Sequence, residues 1–275
     1  MIKLIIKYII YITYLMLSKF NTIVAECCYG QPINGVQYGG QYIADNMGLD
    51  VCDTIKDFNR IDGSDDCAYK KLSDSIVKHH MTGKTLLLGG DHSVGISSLD
   101  AMIQLYGDEL RVLWIDAHAD INDYNSSITG NIHGMPLGFH FVGTRNVVPW
   151  RATQTRLQPH QLYYYGIRDL DTFERDLIYN HNINYSKTNI NAGLINFIKT
   201  APKLMISFDV DSLDPRYVDS TGTRASGGIT PKDIHDIITM ADNIVHLDIT
   251  EFNPLIGNKV KSMEAVKKCF HSFII

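Results

Sequence analysis

Five short apolar runs in this sequence each end in acidic or histidine residues. Near-continuous apolar runs of four to eight residues are typical of strands buried on both faces of a parallel sheet. In such a sheet, ligands bind outside the carboxyl ends of the strands, which is where these polar residues fall. The runs are Thr85–Leu88 before Asp91 and His92, Arg111–Ile115 before Asp116, His118 and Asp120, Gln161–Ile167 before Asp169 and Asp171, Leu204–Phe208 before Asp209 and Asp211, and Val245–Ile249 before Glu251.

Segments with the properties of helices lie between these runs. Cys67–His80, Val94–Tyr106 and Pro231–Met240 are predicted helices, and Pro231 stands at a first turn, where a helix tolerates proline. A strand at about Asn21–Glu26 and a short helix at about Ser262–Phe270 complete the pattern. This alternation of strand and helix predicts an α/β fold with a doubly wound, mostly parallel sheet.

The composition fits one sizeable globular unit. The chain has 275 residues, is 45% hydrophobic and carries a net charge of -5 without a long basic block, so a nucleic-acid partner is not expected. Its five cysteines are odd in number and lack metal-ligand spacing, which argues against a disulfide framework and a zinc knuckle. We therefore expect a reducing compartment, and hence a cytoplasmic protein.

The first seventeen residues form an apolar stretch of a different kind. Lys3 and Lys7 followed by the apolar run 8–17 resemble a signal peptide or an anchor, which would make the protein secreted or membrane-associated. The run is short for a membrane span and no small-residue cleavage site follows it. Because Met16 offers a second start, we favour an N-terminal extension over residues 1–20 and a single domain over 21–275.

Two groups of acidic residues have a regular spacing. Asp116, His118 and Asp120 are spaced i, i+2, i+4, so their side chains would leave the same face if the backbone stayed extended. Asp209 and Asp211 repeat the i, i+2 spacing after another apolar run. The alternative is that each aspartate only caps a helix and that the histidine packs in the core.

Together with His92, these residues supply four carboxylates and two imidazoles. So many like charges cannot share one dry crevice without compensating cations, and two divalent ions bridged by one or two carboxylates satisfy them. A carboxylate-rich ligand set with a minority of imidazoles suits manganese better than zinc. A metal pair of this kind lowers the pKa of water, so the pattern indicates hydrolytic chemistry.

Three segments that carry these residues resemble the signatures of the ureohydrolase (arginase/agmatinase) family. They are Gly89–Ser93, Asp116–Asp120 and Ser207–Pro215, in the order and spacing of the family, and the resemblance extends over about residues 21–257. It implies a three-layer αβα fold around a parallel sheet of about eight strands, with two Mn²⁺ ions at the strand ends. By the same resemblance, one ion is held by His92, Asp116, Asp120 and Asp209, and the other by Asp116, His118, Asp209 and Asp211.

Two loops resemble the arginase form of this family, which implies hydrolysis of L-arginine to L-ornithine and urea. The loop after Asp120 matches the one that donates hydrogen bonds to the substrate α-carboxylate, here from Asn122, Thr129 and Asn131. Thr129 replaces a serine that is common in the family but keeps a hydroxyl donor. In the second loop, the resemblance implies that the α-ammonium is bound by Asp171, supported by Glu174.

The remaining roles rest on the same resemblance. Glu251 is expected to bind the guanidinium, whose planar geometry and charge match a carboxylate, with Thr223 nearby. His133 is expected to exchange protons at the mouth of the cleft, because imidazole titrates near neutrality. Asp120 is expected to pass a proton to the departing amine.

Two alternative functions and the oligomeric state stay open at this point. An agmatinase, or another amidinohydrolase acting on a guanidino substrate, would share the metal ligands and differ in the two loops. A catalytically silent binding or regulatory relative would be expected to have lost a metal ligand, and none of the six is lost. Although the chain stops soon after Pro254, we expect a homo-oligomer, either a trimer or a hexamer.

Overall fold

The computed structural model describes residues 20–270, and this part of the chain is built around one sheet of eight strands. All neighbouring strands are parallel, as the resemblance implies. The strands are β1 (Asn21–Ala25), β2 (Val51–Ile55), β3 (Thr85–Leu88), β4 (Leu110–Ile115), β5 (Leu162–Tyr165), β6 (Asn184–Ser186), β7 (Lys203–Asp209) and β8 (Ile244–Thr250). They lie in the order β2-β1-β3-β8-β7-β4-β5-β6.

Helices cover both faces of the sheet. In the described residues they are α1 (Gly39–Met47), α2 (Ala68–His80), α3 (Gly95–Tyr106), α4 (Thr172–Asn180), α5 (Ala192–Thr200), α6 (Pro231–Met240) and α7 (Lys259–Phe270). Successive residues of a strand point to opposite faces. On β4, Val112 and Trp114 pack on the side of α2, α3 and α4, whereas Leu113 and Ile115 pack on the side of α1, α5, α6 and α7. The result is the expected three-layer αβα arrangement.

The order of the strands determines where a site can form. β3 is followed along the chain by β4, but in the sheet β8 and β7 lie between them. Such a reversal of strand order opens a crevice beyond the carboxyl ends of the strands, because the connecting loops diverge to opposite faces. The predicted metal ligands follow β3, β4 and β7, and Glu251 follows β8. All of them therefore come from the four central strands.

The five apolar runs are confirmed as strands, and the predicted helices are confirmed with small shifts of their bounds. The run Gln161–Ile167 was too long a prediction, because the strand ends at Tyr165 and the following Gly166 has a φ of 100° that an extended strand does not allow. The short C-terminal helix begins at Lys259, one turn before the predicted Ser262. β2 and β6 were missed because both are edge strands with partly exposed residues and no continuous apolar run.

No helix within residues 20–270 is both long and apolar enough to cross a membrane. The apolar stretch 1–17, for which a signal or anchor was considered, lies outside the described residues.

The packing of α7 on the sheet gives a stability prediction. Phe270 is fully buried and meets Phe208 of β7 edge-to-face, with ring centroids 5.3 Å apart. Phe270→Ala should lower the free energy of unfolding by about 3–5 kcal/mol in urea titrations, because it leaves a cavity between helix and sheet. Tyr179, whose side chain is 82% exposed, is the matched control, and Tyr179→Ala should change stability by less than about 0.5 kcal/mol. Equal effects of the two substitutions would contradict this packing.

Candidate metal centre and active site

His92 follows β3 in a turn that begins with Gly89 and Gly90. A Cβ on Gly90 would lie 1.8 Å from the carbonyl oxygen of Cys27, so only glycine lets these two loops approach each other. Asp91 caps the turn by accepting a hydrogen bond from the backbone N–H of Ser93. The turn directs the His92 imidazole into the interior, where it stacks on Trp114 with ring centroids 4.3 Å apart.

Asp116, His118 and Asp120 converge by a different route from the one predicted. β4 ends at Ile115, so the three residues do not share an extended strand. Oδ1 of Asp116 instead accepts the backbone N–H of His118 at 2.8 Å and closes a tight turn. Asp120 has a left-handed φ of 51°, a conformation that costs a non-glycine residue about 1–3 kcal/mol and is concentrated at functional sites. The turn, and not the two-residue period of a strand, brings the three side chains together.

Asp209 and Asp211 are brought into the same cluster by a turn at the end of β7. Asp209 is the last residue of the strand, and its Oδ1 accepts the backbone N–H of Asp211 at 2.8 Å. Backbone capping, the alternative considered for these aspartates, is therefore present, while their role as metal ligands stays a prediction. Each of Asp91, Asp116 and Asp209 holds a backbone turn, and the carboxyl groups nevertheless converge.

The ligand atoms form two overlapping clusters. Nδ1 of His92 lies 3.0 Å from Oδ2 of Asp116, 3.0 Å from Oδ2 of Asp120 and 3.2 Å from Oδ2 of Asp209. Nδ1 of His118 lies 3.4 Å from Oδ1 of Asp116 and 3.3 Å from Oδ2 of Asp211. Asp116 belongs to both clusters, in each of which the atoms lie within 4.8 Å of one another.

The charges of these groups are strongly coupled. Burial raises the pKa of Asp209 well above its ordinary value, and the charges of Asp211 and Asp116 raise it further. Burial and the charge of Asp116 together raise the pKa of Asp120 to about 6. Burial alone would lower the pKa of His118, but the carboxylates of Asp211 and Asp116 outweigh burial and raise it. The cluster therefore has a surplus of negative charge that its own histidines only partly compensate.

This surplus fits a pair of divalent cations. Nδ1 of His92 is buried, has no hydrogen-bond partner and faces three carboxylate oxygens, an arrangement that calls for a cation between them. Its other ring nitrogen, Nε2, lies 2.9 Å from Oγ of Ser207, which itself donates to Asp248 at 3.1 Å. This second contact leaves Nδ1 as the ligating atom, since metal-binding imidazoles typically donate their other N–H to a supporting group.

Glu251 lies directly beside His92, one of the predicted metal ligands. Its Oε1 accepts the backbone N–H of His92 at 2.8 Å and lies 3.2 Å from Nδ1 of His133. Its backbone also has a left-handed φ, of 65°. Burial would lower the pKa of His133, but the hydrogen bond and charge of Glu251 outweigh burial and raise it to about 9. These two predicted catalytic residues are thus in direct contact with each other.

A cavity of about 250 Å³ opens onto this cluster. Its lining includes most of the predicted site residues, namely His118, Asp120, Asn122, His133, Asp171, Glu174, Asp209 and Thr223. The hydroxyl of Thr223 donates to Oδ2 of Asp211 at 3.0 Å, which fixes Thr223 beside the metal ligands. Thr129 and Asn131 do not line this cavity. Thr129 is exposed and its hydroxyl accepts the backbone N–H of Asn131, whose side chain faces a neighbouring depression.

The far end of the cavity combines a neutral donor with an acid. Nδ2 of Asn122 donates to Oδ2 of Asp171 at 2.8 Å, and Oδ1 of Asp171 caps α4 by accepting the backbone N–H of Glu174. Burial, together with the charges of Asp171 and Asp120, raises the pKa of Glu174 to about 8. The amide of Asn122 retains a second N–H, and the carboxyl of Asp171 retains free lone pairs. This end of the cavity can therefore accept one cationic and one anionic group.

Sequence reasoning missed several residues of the site. Asp169 lines the cavity, with its Oδ2 3.9 Å from Nε2 of His118. Its position in the same loop as Asp171 could have indicated that it belongs to the site. Trp114 of β4 and Ser207 of β7 both contact the ring of His92, one by stacking and the other by a hydrogen bond. The apolar pattern of a strand predicts only that such residues are buried. Gln31 donates a hydrogen bond to Glu251 across 220 positions of sequence, and no local pattern indicates such a contact.

Comparison with known proteins agrees with this geometry. A sequence profile described as the Arginase family matches residues 35–275. An arginase of Emericella nidulans is 34% identical over 216 residues, which are 71% of this chain and 64% of that protein.

Two solved structures show the same fold. The arginase of Bacillus subtilis has a TM-score of 0.76 at 26% identity, and the match covers 91% of this chain and 98% of that one. An Entamoeba histolytica arginase in complex with L-ornithine has a TM-score of 0.78 at 24% identity, over 92% of this chain and 98% of that one. With the profile match over most of its length, the chain belongs to the arginase family.

Proposed function

We propose that this protein is an arginase, which hydrolyses L-arginine to L-ornithine and urea with two bound Mn²⁺ ions. The observation that carries the proposal is a cavity lined both by members of the overlapping carboxylate–imidazole clusters and by Asn122 and Asp171, with the buried Glu251 in contact with His92 and His133. A long substrate with a cationic guanidinium at one end and an α-amino acid at the other would match both groups of residues. The relatives named arginase support the same function.

The six predicted ligands would hold the two ions, His92 with Asp116, Asp120 and Asp209, and His118 with Asp116, Asp209 and Asp211. When bound, such a pair supplies a nucleophile by lowering the pKa of water. Manganese is favoured because carboxylates outnumber imidazoles among the ligands.

The protein's own side chains supply orientation and proton transfer. Glu251 binds the guanidinium and replaces its contact with His133 by contacts with the substrate. Asn122, which lines the cavity, donates to the α-carboxylate, while Asp171, supported by Glu174, accepts the α-ammonium. Held at both ends, the guanidinium carbon is presented to the nucleophile in one orientation, which accounts for much of the rate.

Proton transfer is assigned to two residues on the cavity wall. Asp120 lies within 3.0 Å of Nδ1 of His92 and faces the cavity, where it can pass a proton to the departing amine. His133, once released from Glu251, can exchange protons between the cavity and solvent. Thr223 orients Asp211 and borders the guanidinium end of the cavity.

Three further properties belong to this proposal. Residues 21–275 would form one ureohydrolase domain, and the protein would act as a homo-oligomer, a trimer or a hexamer. A cytoplasmic location is supported by the five cysteines, which are all unpaired. An amidinohydrolase with another guanidino substrate remains the competing function, because Thr129 and Asn131, which were expected to bind the α-carboxylate, do not line the cavity.

Urea release tests the function directly. The purified protein, stripped of metal and reloaded with Mn²⁺, should release urea from L-arginine, and the stripped protein should not. Agmatine, which lacks the α-carboxylate, should be hydrolysed with a kcat/KM lower by a factor of about 10³ or more, because the donors at the far end would stay unpaired. Faster hydrolysis of agmatine than of arginine would favour the competing function, and no urea from either would reject both.

Metal binding gives a test that does not depend on turnover. In calorimetric titrations the stripped protein should bind two equivalents of Mn²⁺, because two clusters share Asp116. Asp209→Asn should lower the affinity by about a factor of 10² or more and nearly abolish turnover, since it removes one negative charge from the ligands proposed for both ions. Asp236→Asn on the surface of α6 is the control and should bind as the parent protein does. A folded parent protein that binds no ion would contradict the whole assignment.

The proton-exchange role of His133 predicts a slow but folded variant. His133→Asn should lower kcat by about a factor of 10²–10³ while metal stoichiometry and melting temperature stay close to those of the parent protein. His160, an exposed histidine, provides the control, and His160→Asn should keep full activity. Unchanged activity of His133→Asn at every pH would rule out this role.

A further inference from the structure

The side chain of Gln31 reaches Glu251 from a loop that follows β1. Its Nε2 donates to Oε2 of Glu251 at 2.5 Å, and the residue is only 7% exposed. The backbone of the preceding Gly30 is held by Oδ2 of Asp91, at 2.8 Å, so the loop is fixed to the turn that carries His92. The contact is therefore part of the site and not a chance approach of a surface side chain.

Glu251 has three hydrogen-bonding neighbours of different kinds. Its Oε1 is shared by the backbone N–H of His92 and by the ring of His133, while its Oε2 is bound by Gln31. Two of these donors are neutral and lie on opposite oxygens, so together they define the plane of the carboxylate. The third, His133, is the charged partner that a guanidinium can displace. A neutral amide leaves the charge of Glu251 available to a cation, which an arginine or lysine in the same place would not.

The other end of the Gln31 amide is left unsatisfied. Its Oε1 is buried and has no hydrogen-bond partner. The nearby Gly222 is so close that a Cβ there would lie 2.9 Å from this oxygen. A buried acceptor without a donor is destabilising, and such groups call for a functional explanation. Rotating the amide would not help, because Oε1 would then face the carboxylate oxygen of Glu251.

We infer that Gln31 is a positioning residue for Glu251, which it holds in the plane that receives the guanidinium of the substrate. The inference rests on the proposed function and adds a residue to it. Oε1 of Gln31 stays without a hydrogen bond because the other half of the same amide, Nε2, is the neutral donor to Glu251. Gln31 thereby contributes to selectivity for guanidinium compounds and not to the chemistry itself.

The test replaces the amide with an apolar side chain of similar length, in the manganese-loaded protein. Gln31→Met should weaken binding of guanidinium ion, titrated as its chloride against sodium chloride at equal ionic strength, by about a factor of 10–100, as expected for one hydrogen bond to a charged group. Binding of L-ornithine, which has no guanidinium, should change by less than about a factor of 2. KM for L-arginine should rise more than kcat falls.

A purely structural role for Gln31 predicts a different result. Because Gln31→Met removes the unsatisfied oxygen but also leaves Oε2 of Glu251 without its donor, the melting temperature does not separate the two roles, whereas loss of a structural residue would weaken guanidinium and ornithine binding alike. Gln37→Met is the matched control, because Gln37 lies in the same loop and bonds only to Asn34 and Gly35. This control should leave guanidinium and ornithine binding as in the parent protein. Equal losses for both ligands, or none for guanidinium, would overturn the inference.

Failure of the proposed function would be recognised separately. If the parent protein releases no urea from L-arginine, the proposed function fails before any variant is compared. The inference about Gln31 is then still decided by guanidinium binding, which requires no turnover. If the parent protein is active and Gln31→Met binds guanidinium equally well, only the inference about Gln31 is wrong.

Discussion

The arrangement of this protein depends on electrostatic repulsion among carboxyl groups that the fold places together. Four aspartates from the ends of β4 and β7 surround two imidazoles in a region that is almost closed to water. Burial and the charge of Asp116 raise the pKa of Asp120, and burial with the charges of Asp211 and Asp116 raises the pKa of Asp209. The two histidines compensate this negative charge only in part, and bound cations, as proposed, would compensate the rest.

The sequence predicted the sheet well because its central strands are buried on both faces. β3, β4, β7 and β8 each carry a continuous apolar run, and the side chains that follow them are those of the site. The edge strands β2 and β6 lack such a run because one side of them meets solvent. The sequence pattern is therefore clearest for the strands that carry the residues of the site.

The geometry of the site could be predicted from the sequence only in part. The spacing of Asp116, His118 and Asp120 indicated convergence, but the left-handed backbone at Asp120 that produces it has no signature in the sequence. The contact between Gln31 and Glu251 depends on how two distant loops pack, which residue types alone do not specify. Sequence patterns identify the groups that take part, whereas turns and long-range contacts set their orientation.

The two oxygens of the site aspartates are used differently. In Asp116 and Asp209, Oδ1 holds a backbone N–H of its own turn and Oδ2 faces His92. Hydrogen bonds within the chain thus contribute to the shape of both loops. One carboxyl group thus serves two structural purposes, so replacing either aspartate by a residue without a side-chain acceptor would alter the course of its loop together with the charge around His92.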